Sequence, residues 1–265
     1  MGAVLTTQTI VQRLSAYEWL GCSRMLDDAQ VFETSRRFYA LRLALRELED
    51  YYLQLLPPIV PDGGIHPRFC PSITSFVDST TGHSVDFDYV RPLEEEPTCV
   101  TFLSRLRDTQ EKVVVKFVRR YGKEAHEWMA ERTWAPRLLH HGMLGAGYGD
   151  LALVVMEYVK GRTLEERYPT GITTHVRDSV ARCLKAFNEA GFLFADLRRP
   201  NIMRVDDTEE SAEGSIRFID FDWACKEGDG ARYPVHLSSF VKDVSGARNY
   251  DIITKEHQDE MFNAL

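Results

Sequence analysis

The sequence has no long apolar run, no paired cysteines and no surplus of basic charge. No stretch approaches about 18 uninterrupted apolar residues, so no transmembrane helix is expected. The N-terminus lacks a charged segment followed by an apolar core, and no secretory signal is read. There are five cysteines (Cys22, Cys70, Cys99, Cys183 and Cys225), an odd number with no C-x-x-C pair. That pattern points to free thiols in a reducing, cytoplasmic setting rather than to zinc or a disulfide framework. The 32 Lys and Arg against 40 Asp and Glu give a net charge of −8. A nucleic-acid binder ordinarily carries a basic excess, because phosphate neutralisation supplies most of its affinity. No nucleic-acid partner is therefore expected. Internal repeats and low-complexity tracts are also missing.

What remains is an ordinary globular composition. In 265 residues, 44% are hydrophobic and 27% charged, enough to build one large domain or two small ones. The start Met1-Gly2-Ala3-Val4-Leu5-Thr6 fits the N-myristoylation pattern at Gly2. Chance is the preferred reading of it, and one acyl chain would anchor only marginally.

Residues 6–56 read as helical. Phe38, Leu41, Leu45, Leu48, Tyr52 and Leu55 recur every three or four positions and form one stripe, expected to pack on the rest of the protein. An earlier amphipathic piece, Ile10-Leu14-Tyr17, ends before Gly21. Pro57-Pro58 must stop the helix. Residues 57–83 are rich in proline and glycine and read as a linker. Strand texture follows from about 84 to 157, with β-branched runs at 99–103, 112–118 and 151–156. A helix pattern at 123–133 interrupts it. A second helix spans 173–190 and stops at Gly191. A strand follows over 215–220, and 256–265 is again helical. The resulting division is 1–56 extension, 57–83 linker, 84–157 strand-rich unit and 158–265 helix-rich unit, an α+β chain.

Four features carry chemistry, in this order. Lys116 sits inside the apolar strand Val113-Val114-Val115-Lys116-Phe117-Val118. A helix with Glu124, Glu127 and Glu131 comes next. Then come Asp196-Leu197-Arg198-Arg199-Pro200-Asn201, and finally Ile219-Asp220-Phe221-Asp222 at a strand end. Phosphoryl transfer accounts for the set, because it needs positioning and charge stabilisation more than covalent chemistry. A strand lysine can neutralise phosphates if a helix acid holds it. One aspartate can take or orient the nucleophile's proton. An asparagine and a further aspartate can offer oxygens to Mg²⁺, which needs only one or two carboxylates beside phosphate.

In these residues the chain resembles the protein-kinase-like superfamily over about 84–225. Val-Val-Val-Lys116 is similar to the V-A-I-K strand, Asp196-Leu197-x-x-x-Asn201 to the D-L-x-x-x-N catalytic loop, and Asp220-Phe221-Asp222 stands at the D-F-G position. The form Ile219-Asp220-Phe221-Asp222-Trp223-Ala224 resembles aminoglycoside and choline kinases and small fungal-type kinase-like proteins. Ala231-Arg232-Tyr233-Pro234 with Glu256-His257 resembles the fungal group. The resemblance implies a bilobal fold, with an antiparallel N-lobe sheet and a minimal, mostly helical C-lobe, preceded by the helical extension. It implies ATP and Mg²⁺ as cofactors. Lys116 would pair with the α/β-phosphates, Asp196 would be the catalytic base and Arg198 a positive charge near the transferred phosphate. Asn201 and Asp220 would be metal ligands. Met156 would be the gatekeeper, with Glu157 and Val159 offering backbone groups to adenine. Glu124 is the chosen partner of Lys116, since Trp128 stands four residues on at a spine position. Glu127 and Glu131 are the alternatives.

The sequence also departs from that pattern. No G-x-G-x-x-G precedes the lysine, and the turn expected there is acidic, Glu94-Glu95-Glu96-Pro97. Phe194 and Ala195 replace the His and Arg before the catalytic aspartate, so control by loop phosphorylation is not expected. Little of the 265 residues follows Asp222 and no A-P-E occurs, which leaves the N-terminal helices to cover the C-lobe. The expected function is an ATP- and Mg²⁺-dependent phosphotransferase. Its hydroxyl acceptor is a protein Ser/Thr, slightly favoured, or a small molecule. A pseudokinase binding module is the alternative.

Overall fold

The computed structural model describes residues 3–5, 8–10, 28–54, 70–78, 81–94, 100–145, 148, 150–205, 216–235 and 237–265. Gly2, Leu14, Tyr17, Cys22, Leu55, the 57–69 part of the linker and residues 95–99, with most of the acidic turn, lie outside them. Cys70, Cys183 and Cys225 are free thiols. Among the described residues no helix is long and apolar enough to cross a membrane.

A six-stranded antiparallel sheet forms the first half. It runs β3 (Ser75–Val77), β4 (Ser84–Pro92), β5 (Thr101–Leu106), β6 (Lys112–Val118), β8 (Ala152–Glu157) and β7 (Leu138–Met143), in that spatial order. The β-branched run of β6 suits a central strand, buried on both faces. Side chains alternate along it. Val113, Val115 and Phe117 enter one apolar cluster with Phe87, Phe102 and Val155. Val114 and Val118 fall in a second cluster, on the opposite face, with Val154 and Met156. Period two sends Lys116 to that second face, where Val154 is its cross-strand partner.

The second half is helical around its own core. α2 (Lys123–Ala130) joins it to the sheet. α3 (Leu164–Arg167) starts in a Thr163–Glu166 capping box. α4 (Thr174–Glu189) is capped by Thr173, and Gly191 takes φ 81° just beyond its end. α5 (Ser239–Ser245) and α6 (Lys255–Asn263) follow, capped by Ser238 and Thr254. Two small sheets complete this half. In one, β9 (Gly161–Thr163), β11 (Ile202–Val205) and β12 (Ile216–Phe218) pair. In the other, β10 (Phe192–Leu193) meets β13 (Cys225–Lys226).

Three expectations are corrected here. Gln8–Ile10 is a strand, β2, paired with β1 (Ala3–Leu5), so the helical reading fails at its start. The helix itself, α1, spans Asp28–Gln54. β3 lies inside the segment read as linker, yet it is the edge strand of the main sheet, paired with β4. The α1 stripe does not pack down either, since Phe38, Leu45 and Leu48 are 58%, 53% and 45% exposed. The physical reason lies at the other end of the chain. Val241, Ala247, Ile253, Met261 and Leu265, from α5, α6 and their flanks, are buried in the core of the helical half. They fill the surface that the extension was expected to cover.

Deleting residues 1–69 is therefore expected to leave the thermal unfolding midpoint within a few degrees of the full chain. Met261→Ala, which empties a fully buried site, should cost about 2–5 kcal/mol. A thermal melt of the deletion variant and chemical denaturation of Met261→Ala check them, and a collapse of the deletion variant would contradict the first.

Candidate active site

Two antiparallel pairings hold two loops face to face. Leu193 pairs with Cys225, and Ile202 pairs with Phe218. The loop between β10 and β11 carries Asp196. The loop between β12 and β13 carries Asp220 and Asp222. Pro200 opens a short 3-10 turn, Arg199–Asn201, which suits its fixed φ. The turn brings Asn201 back onto Asp196: Asn201 Nδ2 donates to the Asp196 carbonyl and to Asp196 Oδ2, each at 2.9 Å. Ile219 N–H donates to the Asn201 carbonyl at 2.9 Å and ties the second loop to the first. Ala195 and Asp220 both adopt left-handed backbone, φ 66° and 68°, an unfavourable conformation for residues with a Cβ that the surrounding contacts enforce.

The first half supplies Lys116. Its Nζ lies 2.7 Å from Asp220 Oδ1 and 2.8 Å from Asp222 Oδ1. Burial alone drives the lysine pKa down, but the two carboxylates outweigh it and hold the group above its ordinary value. Burial raises the Asp220 carboxyl, and the ammonium more than offsets this and holds it low. Asp222 is pushed up to about 7 by burial and by the Asp220 charge beside it. Asp196 is buried and raised by that burial, although Arg198 grips both of its oxygens at 2.6 and 2.7 Å.

Aromatic packing sets these loops in place. Phe194 meets Phe218 and Phe221 edge-on at 5.3 Å. The His126 ring of α2 stacks on Phe221 at 4.5 Å. His126 Nε2 lies 2.7 Å from the Pro136 carbonyl, which can only accept, so Nε2 carries the proton. Nδ1 then accepts from the Tyr121 hydroxyl at 2.6 Å. The C-terminal helix reaches in as well. Gln258 Oε1 accepts the Phe194 N–H at 2.7 Å, and Gln258 Nε2 donates to Asn188 Oδ1.

The structure thus brings Lys116, Asp196, Arg198, Asn201 and Asp220 into one cluster. Met156 is buried on the same sheet face as Lys116, with Val114 as its cross-strand partner. Glu157 gives its N–H to the Arg137 carbonyl, while Val159 makes no backbone hydrogen bond among the described residues. A cavity of about 880 Å³ borders Glu157, Tyr158 and Val159, but the Lys116 cluster does not line it.

Glu124 is not brought to Lys116. It pairs with Lys226, and its side chain is 66% exposed. Trp128 is not in the Phe194–Phe221 stack either, because it packs on Phe187 and Phe192. The residue of α2 that touches Phe221 is His126, two positions earlier. Sequence reasoning passed over Asp222, His126 and Gln258. The signal for Asp222 was its spacing of two from Asp220 across a buried Phe221. His126 and Gln258 act only through tertiary contacts and leave no local mark.

Which oxygens could hold a cation follows from the bonds already made. Asn201 Nδ2 serves Asp196, which leaves Asn201 Oδ1 without a partner among the described residues. Asp220, whose charge acts on Asp196, offers a carboxylate, a hard oxygen donor. Among the described residues no group of three or more His, Cys, Asp or Glu is arranged to cage a metal. Such a donor set fits an ion that completes its shell with water and phosphate, as Mg²⁺ does.

The sequence matches no protein-family model and no curated protein. Solved structures do match, among them that of the Cydia pomonella granulovirus kinase, PK-1. The two chains are 12% identical, the match covers 66% of this chain and 65% of that one, and the TM-score is 0.49.

His126 gives this site a pH signature. Burial holds its pKa at about 4, below the ordinary 6.5. Below pH 6.5 the unfolded chain takes up a proton that the folded state refuses, so stability falls between pH 6.5 and 4, by about 3 kcal/mol at most. Unfolding midpoints measured from pH 7 to 5 should fall in the wild type more steeply than in His126→Phe, which keeps the ring and loses the titration. Parallel slopes would remove His126 as the cause.

Proposed function

We propose that the chain is an ATP- and Mg²⁺-dependent phosphotransferase with a bilobal, protein-kinase-like fold, acting on a hydroxyl acceptor. The observation that carries this reading is the meeting of Lys116, Asp196, Asn201 and Asp220 from separate segments of the two halves, Lys116 bonded to Asp220 at 2.7 Å and Asn201 to Asp196 at 2.9 Å. Lys116 neutralises phosphate oxygens of the nucleotide. The acceptor oxygen attacks the γ-phosphorus as the bond to the β,γ-bridging oxygen breaks, and ADP departs. The acceptor proton passes to the Asp196 carboxylate, whose pKa burial has raised toward that task. Arg198 releases one oxygen of Asp196 and turns its charge to the transferred group. A magnesium ion held by Asn201 Oδ1 and Asp220 would supply further charge neutralisation on the phosphates. The acceptor is a protein Ser/Thr hydroxyl, slightly favoured, or a small alcohol.

A second reading has its own observation. Arg198 closes on both oxygens of Asp196, and no glycine-rich phosphate loop precedes Lys116. A pseudokinase that binds nucleotide without transferring phosphate would have these features.

Two measurements separate the readings. ATP that binds only the folded state raises stability by about 2.7 kcal/mol at a hundredfold excess over Kd. A thermal shift with ATP that grows with Mg²⁺ and loses that growth in Asp220→Ala supports nucleotide and metal binding. Asp196→Ala should keep the shift and lower transfer or ATP hydrolysis about 10²–10⁴-fold. Equal rates in Asp196→Ala and wild type would overturn the role of Asp196. A metal-dependent shift with no turnover would favour the pseudokinase.

A further inference from the structure

We propose that Asp222, and no glutamate of α2, is the carboxylate that positions Lys116 for the nucleotide phosphates. This deepens the phosphotransferase reading and rests on it only in requiring that Lys116 meet a nucleotide.

The acids of α2, Glu124 and Glu127, and Glu131 at its C-terminal end are all engaged elsewhere. Glu124 pairs with Lys226, Glu127 with Lys123 at 3.7 Å and Glu131 with Arg132 at 3.7 Å, and their side chains are solvent-exposed. The start of the helix is held instead against the Phe221–Ala224 segment. Gly122, just before α2, donates its N–H to the Phe221 carbonyl at 2.9 Å. A Cβ on Gly122 would stand 2.5 Å from the Ala224 carbonyl oxygen and 2.8 Å from Ala224 Cβ. His126 stacks flat on Phe221, with 9° between the rings. The segment 221–224 therefore lies directly against the start of the helix.

That same segment supplies the replacement. Phe221 turns into the core and is fully buried. Its two neighbours turn the other way, so both carboxylates reach Lys116 Nζ, at 2.7 and 2.8 Å. Two acids on one lysine allow a division of labour. Asp220 sits beside the Asn201–Asp196 pair and is free to serve the phosphate side. Asp222 keeps the ammonium in place when Asp220 does so. A lysine left with Asp220 alone would have to choose between that carboxylate and the phosphates.

The test is nucleotide affinity on the full chain, measured by titration with ATP in EDTA, where metal ligation plays no part. Asp222→Asn should weaken binding about tenfold, and Glu124→Gln should change it less than twofold. In a Lys116→Met background, Asp222→Asn should add nothing, because a positioning residue acts only through the group it positions. With Mg²⁺ present, KM for ATP should rise in Asp222→Asn more than kcat falls. The same double-mutant cycle on thermal unfolding without nucleotide reads the pair even where binding is weak, and coupling between Lys116→Met and Asp222→Asn is expected. Wild-type affinity in Asp222→Asn overturns the proposal, as does equal loss in Glu124→Gln or additivity in the unfolding cycle. ATP binding without transfer would overturn the enzymatic reading and leave this one standing.

Discussion

A single buried charge organises the molecule. The ammonium of Lys116 stands in the middle of a six-stranded sheet, where an unpaired cation would be very costly. Its partners come from the other half of the chain, more than a hundred residues away. The sheet and the helical half are thus joined at the point where charge is concentrated. The strand alternation that buries Val113, Val115 and Phe117 is what aims the lysine at that junction. The pairings β10–β13 and β11–β12 are what bring the acids to meet it. Loss of either pairing would separate the charges as well as the loops.

Packing around the junction serves the same constraint. Phe194, Phe221 and His126 form a stack from the Asp196 loop to α2. Phe194 contributes an apolar ring to that stack, edge-on to Phe221. The polar ring is instead on α2, satisfied by Tyr121 and by the Pro136 carbonyl. Hydrogen bonding at this depth is complete for the imidazole, as burial demands.

Much of this was legible in the sequence, for identifiable reasons. Central strands announce themselves by β-branched runs, and α4 by its apolar period and by Gly191. The spacing of Asp196 to Asn201 is a local device, five residues that fold back on themselves, and such devices survive in sequence. The partner of Lys116 was misjudged because it depends on what fills the space between a helix and a strand, and spacing along the chain carries no record of that. The surface helix α1 was misjudged similarly. An apolar stripe shows that a face can be buried, but not against what, and α5 and α6 had already closed the available surface. β3 was hidden because three residues in a proline-rich stretch are too short to show a period.

Gln258 of α6 ties two distant segments together. Its side chain, from the last helix, is the acceptor for a backbone N–H two residues before Asp196. Its other end is moored on α4 through Asn188. The tail is therefore a clasp on the innermost loop of the protein. Anything that draws α6 away would be felt at Asp196 through the Phe194 backbone.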